Sequence, residues 1–109
     1  MAAPSQLRLV TVTFPSEETA RAVARQVVAT RLAACVNVLP GVLSVYRWEG
    51  EICEDREVLA AIKTTADRVP ELLAAVKAAH PYDLPAVEVV AVETAGEGVE
   101  AWVREATGG

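Results

Sequence analysis

Between Ala34 and Lys63 the chain reads ACVNVLPGVLSVYRWEGEICEDREVLAAIK, two extended arms with one strong turn signal at Glu49-Gly50-Glu51. Val, Ile, Leu, Tyr and Trp recur on both arms, the composition of β-strands folded back on each other. Each arm has room for about 13–15 residues, and at ~3.3 Å per residue a straight arm reaches about 45 Å. A globule of about 100 residues has a radius of gyration near 13 Å. A hairpin of that length outgrows its own domain. Val42, Val45, Tyr46, Trp48 and Ile52 would lie beyond the core, where another subunit must cover them. An oligomer built by strand pairing or strand exchange is therefore expected.

The 109 residues form one domain, residues 1–109, with a single core. Hydrophobic residues make up 52% of the chain, with few aromatics and many Ala and Val, which fits a mixed α/β or α+β protein and argues against disorder. Formal net charge is −5 and no basic cluster interrupts it, so nucleic acid is not an expected partner. The longest uncharged run, Leu32 to Tyr46, contains Asn37, Pro40, Gly41 and Ser44 and falls short of a membrane span. The opening residues MAAPSQLR carry neither a basic n-region nor an apolar h-region. A cytoplasmic protein without a membrane partner is the expectation.

Taken in order, the elements are β, α, β, β, α, β and a short final helix. Leu7 to Phe14 alternates as a strand, with Val10 and Val12 on one face and Leu9 and Thr11 on the other. Pro15 stops it, Ser16 caps a helix, and Glu17 and Glu18 sit where the helix dipole favours negative charge. Ala20, Val23, Ala24, Val27 and Val28 then recur with helical spacing to about Arg31. In the hairpin, Pro40-Gly41 demands a bend or bulge, leaving Ala34–Leu39 in the sheet and Val42–Trp48 projecting. Glu54-Asp55-Arg56-Glu57 reads as a solvent-facing patch before Val58–Ile62 re-enters the core. Thr64 to Asp67 caps a second helix with Pro70 in its first turn and Val69, Leu72, Leu73 and Val76 on its apolar stripe. It ends at His80-Pro81, and Pro81 and Pro85 bracket a rigid loop. Ala86 to Val92 reads as a strand buried on both faces. Val99, Trp102, Val103 and Ala106 form one stripe of the last helix, and the tail from Thr107 to Gly109 has nothing to pack with. Two βαβ units around a hairpin make an α+β, ferredoxin-like βαββαβ fold with an extra C-terminal helix.

Chemistry-bearing motifs are few. Ser5, Ser16 and Ser44 lie in the N-terminal tail, a cap and the projecting arm, no G-x-S-x-G context exists, and His80 is the one histidine. Neither a G-x-G-x-x-G nor a Walker loop is present. With the turn at Gly50, Cys53 falls nearly opposite Arg47 and about 40 Å from Cys35, far beyond the ~7 Å a disulfide spans. Both cysteines are expected as thiols, Cys35 as a small buried hydrophobe. His80 is either a helix-terminal residue favoured by the dipole or a metal or anion ligand beside Tyr82, Asp83 and Glu88. Asn37, the one asparagine, lies on a strand that otherwise reads as buried, where its amide would pin register. Lys63 reads as a snorkelling edge residue. Val45, Tyr46 and Trp48 read as interface anchors.

The ordered series ACVNVLPGVLSVYRWEGEI, IKTT and HPYDLP resembles the CutA divalent-cation tolerance family from the first strand to Trp102. The resemblance implies a tight homotrimer of PII-like architecture, a role in the response to copper and other divalent metals, and no enzymatic reaction. It implies no required cofactor and at most weak binding of a divalent metal such as copper. Of the family's copper-ligand positions only the histidine, His80, is matched. The first-strand position is Val12, and the residue after Pro85 is Ala86, so copper is not expected to be held in that way. Glu88, on the face of Ala86, leaves a weaker oxygen site open. The resulting expectations are a metal contact at His80 and an intersubunit ligand cleft near Cys35, Asn37, Lys63, His80 and Tyr82. A PII-like regulator that senses a small metabolite or presents a trimeric partner surface is the rival.

Overall fold

The computed structural model describes residues 4–108. The elements are β1 (Leu7–Phe14), α1 (Glu17–Ala29), β2 (Cys35–Trp48), β3 (Glu51–Thr65), a 3₁₀ turn (Ala66–Arg68), α2 (Val69–Ala79), β4 (Val87–Ala91) and α3 (Val99–Ala106). All four strands join one antiparallel sheet in the order β2-β3-β1-β4, the split βαβ arrangement of an α+β ferredoxin-like fold.

Strand alternation sorts the sheet into two unlike faces. Val10, Val12 and Phe14 of β1 and Val58, Ala60 and Ile62 of β3 are buried beneath α1 and α2, which add Ala20, Val23, Val27, Leu72 and Val76. Burying each larger aliphatic side chain contributes about 1.5–3 kcal/mol. Ser16 starts α1 by accepting the Thr19 amide at 3.2 Å. Opposite this packed layer, Leu9, Thr11 and Thr13, then Leu59, Ala61 and Lys63, then Cys35, Asn37 and Leu39 form the open face.

The hairpin projects as its length requires. The radius of gyration is 14.7 Å and the longest dimension 48 Å against 29 and 23 Å across, where a globule of this size would have a radius near ~13 Å. The ladder shifts by one residue between Leu39 and Val42, and Gly41 there takes φ 78°. This is the expected bulge, and glycine permits the left-handed backbone it needs. Glu49 (φ 49°) and Gly50 (φ 80°) make a two-residue turn with both residues left-handed. Beyond the bulge Val45, Trp48 and Ile52 stand 61%, 54% and 69% exposed.

Several expectations are corrected. The turn occupies two residues rather than three, so Cys53 pairs with Tyr46, and Arg47 with Ile52. β4 is a five-residue edge strand, and all but Val87 of it is exposed, because α1 and α2 cover the middle of the sheet and no strand flanks its outer side. Asn37 is exposed and Cys35 half-exposed, both on the open face of the other edge strand. Glu57, read as solvent-facing, is buried because the loop after α2 folds over it. The tail is packed as far as it is described. Thr107 is buried, its carbonyl accepts the Arg68 Nε–H at 3.0 Å, and Arg31 reaches the Ala106 carbonyl at 3.5 Å. Gly109 lies outside the described residues.

Candidate functional site

The candidate cleft residues resolve into two groups within one chain. The first is on the open face. Cys35 faces Lys63 across the β2–β3 ladder, and Lys63 faces Leu9 of β1. The Lys63 ammonium donates to Asn37 Oδ1 at 3.0 Å, and the Cys35 thiol approaches the same oxygen at 3.9 Å. Asn37 and Lys63 are diagonal neighbours on one face, which is the geometry that lets a long side chain reach across. Further along, Thr11 donates to the Glu88 carboxylate at 3.0 Å.

The second group forms where α2 ends. His80 is buried, and its ring stacks on Phe14 at a centroid distance of 4.6 Å. The Tyr82 amide donates to His80 Nδ1 at 3.1 Å, so Nδ1 carries the lone pair. Nε2 therefore carries the proton and donates to the Thr13 carbonyl at 2.7 Å. In this arrangement both ring nitrogens are spent inside the chain. The Tyr82 hydroxyl continues the network by donating to the buried Glu57 carboxylate at 2.8 Å. On the projecting arm the Tyr46 hydroxyl similarly donates to Asp55. Among the described residues no three His, Cys, Asp or Glu side chains gather as a metal cluster. The two cysteines are free.

Leu9↔Lys63 and Thr13↔Leu59 are four rungs apart on the β1–β3 ladder, about 13 Å along the strand. One chain therefore does not close Cys35, Asn37 and Lys63 onto His80 and Tyr82. Sequence reasoning missed Glu57 as the partner that ties Tyr82 down. A lone carboxylate at the edge of an acidic patch gave no signal of burial.

Both phenols hold their protons more tightly than usual. Burial, then the hydrogen bond to Glu57 and its charge, pushes Tyr82 up to about 12. The hydrogen bond to Asp55 is the largest cause for Tyr46, also raised to about 12. Between the unfolded value near ~10 and the folded one, the native state binds more protons than the unfolded chain. Stability from these groups is thus complete below about pH 10 and lost as pH rises toward 12. Chemical denaturation across this window is expected to show falling stability, with a shallower slope in the Tyr46→Phe/Tyr82→Phe variant. An equal slope in both proteins would refute the assignment.

The architecture defines a small α+β protein whose sheet has one packed face, one open face and an arm too long for its own core. The chain is a member of the CutA1 divalent ion tolerance protein family, whose sequence pattern it matches over residues 8–106. It is 46% identical over 100 residues to the divalent-cation tolerance protein CutA of Thermus thermophilus, covering 92% of this chain and 97% of that protein. It is 43% identical over 104 residues to the human protein CutA, covering 95% of this chain and 58% of the human protein. The solved structure of the Thermus thermophilus protein superposes with a TM-score of 0.90 at 45% identity, covering 94% and 99% of the two chains. CutA from Xylella fastidiosa gives 0.92 at 36% identity, with the same coverage of 94% and 99%. Other relatives bear the names chloroplastic, in Arabidopsis thaliana, and periplasmic, in Archaeoglobus fulgidus. Among the described residues no helix is long and apolar enough to cross a membrane.

Proposed function

We propose that this chain forms a non-catalytic homotrimer of the cytoplasm that serves divalent-cation tolerance, copper included. The observation that carries the assembly is the arm itself, where Val45, Tyr46 and Trp48 stand in water on a single chain. Apolar anchors of this kind belong in an interface. The tolerance role rests on family membership and on the names of the relatives in Thermus thermophilus and elsewhere.

The ligand site in this reading is an intersubunit cleft. Cys35, Asn37 and Lys63 of one copy meet His80 and Tyr82 of the next, which supplies the closure that one chain lacks. A divalent metal such as copper would be held weakly, since the hydrogen bonds at both nitrogens of His80 must first yield. Isothermal titration with copper(II) and zinc, on wild type and His80→Ala, tests this. A heat that shrinks in the variant is expected. Indistinguishable heats would remove His80 from the site. The second reading, a PII-like regulator sensing a small metabolite, is favoured by one observation. The open-face patch centres on the Lys63 ammonium, which donates to Asn37 Oδ1 at 3.0 Å, and a positive charge there suits an organic acceptor better than a cation.

A further inference from the structure

We propose that Lys63 and Asn37 form an anion-recognition site whose ligand is the carboxylate of a small organic acid with an apolar body. This deepens the second reading, a small organic ligand in the cleft, and rests on it for the premise that the open-face patch takes a ligand.

Lysine has three N–H donors, and Lys63 spends one on Asn37 Oδ1 at 3.0 Å. Two remain, and the Asn37 amide nitrogen brings two more, so the pair can present four N–H groups. Among the described residues Lys63 has no carboxylate partner. The ion pairs are Arg68–Glu71 and Arg104–Glu100, and Glu88 is engaged by Thr11. The Lys63 ammonium is thus not ion-paired, while a carboxylate on the same face, Glu88, stands two strands away beside Thr11.

Position makes that charge consequential. Lys63 is half-buried between Leu9 and Cys35 of the flanking strands. Covering the open face with another copy removes water from the ammonium, and a desolvated charge without a partner is strongly unfavourable. An oxyanion restores the balance. A divalent cation does the reverse, because it would sit against the lysine. Surrounding chemistry then narrows the class. Leu9 and Val90 lie in the row of Lys63, and Leu39, Leu59 and Ala61 share the face with Thr11, Thr13 and Glu88, so a ligand anchored at Lys63 has aliphatic surface beside it. A carboxylate on an apolar body fits both halves, whereas inorganic phosphate fits only the first.

The test uses the full chain, with benzoate as probe, benzamide as its neutral isostere, and inorganic phosphate. Titration calorimetry is expected to show benzoate binding at least about tenfold more tightly than benzamide, the scale of a charge-assisted hydrogen bond. Benzoate should also exceed phosphate. Lys63→Met and Asn37→Asp should each weaken benzoate by about tenfold or more. Asn37→Asp supplies an internal carboxylate to the ammonium, so it closes the site without deleting a charge from the fold. It decides the matter if the lysine variant fails to fold. Equal binding of benzoate and benzamide, tighter binding of phosphate, unaltered affinity in Asn37→Asp, or no binding to the intact assembly would each overturn the proposal. Benzoate retained by a dissociated Val45→Glu chain would support the anion site and overturn its intersubunit location, which separates the two readings.

Discussion

Val45→Glu is expected to break the assembly apart, so that the variant sediments as smaller species at micromolar concentration while the wild type does not. The side chain is 61% exposed on the single chain, on the arm beyond the bulge. If a sister copy covers it, the substitution forfeits about 1.5–3 kcal/mol of apolar burial. It also forces a carboxylate into an apolar contact, which costs at least a similar amount. At 1.4 kcal/mol per factor of ten, each interface weakens by about a hundredfold or more. Trp48→Ala should act in the same direction, because a buried tryptophan is a frequent anchor of interface energy. A variant with unchanged mass by sedimentation, or a wild type that is monomeric, would refute the role given to the arm.

His80→Ala is expected to lower the unfolding free energy by about 3 kcal/mol. The change removes a ring stacked on Phe14 at 4.6 Å and buried among core residues, and large-to-small changes in such places cost about 2–5 kcal/mol. It also leaves the Thr13 carbonyl without the donor now at 2.7 Å, and frees the Tyr82 amide. In a domain of this size the melting temperature should fall by roughly ten degrees or more. Ligand-linked and subunit-linked stabilisation adds to any melting curve, so wild type and variant must be compared at one protein concentration without added metal. A variant that unfolds like wild type would show that the histidine network is not structural.

The skeleton of this fold is written in local patterns. Leu7 to Phe14 alternates with period two and is bounded by Pro15, and the strand is observed over those residues. Ser16 and the two glutamates after it specify the start of α1, and the structure begins the helix at Glu17. The overlong hairpin was legible because only one strong turn signal interrupts thirty residues. Even the bulge was legible, since Pro40-Gly41 cannot continue a regular ladder.

What remained hidden depended on distant partners. The environment of His80 is set by a carbonyl on β1 and by Phe14, 67 and 66 positions earlier in the chain. Burial of Glu57 depends on Tyr82 folding back from another loop. β4 has the valine content of a central strand, but its exposure follows from the place it takes in the strand order. Asn37 and Lys63 meet through register, and a one-residue error in the turn sufficed to misplace Cys53. Local chemistry named the cleft residues, while the ladder decided which of them share a face.

The extra residue at Pro40-Gly41 has a geometric consequence. Past it Val42 pairs with Glu57, as it would in an uninterrupted ladder made by deleting Gly41. The insertion thus preserves the partners and changes the heading of the arm. Head-to-tail contacts form a closed ring only when the rotation from one copy to the next divides a full circle, and otherwise propagate as an open filament. A single glycine in a strand would then act as a steering joint that selects how many copies complete the circle.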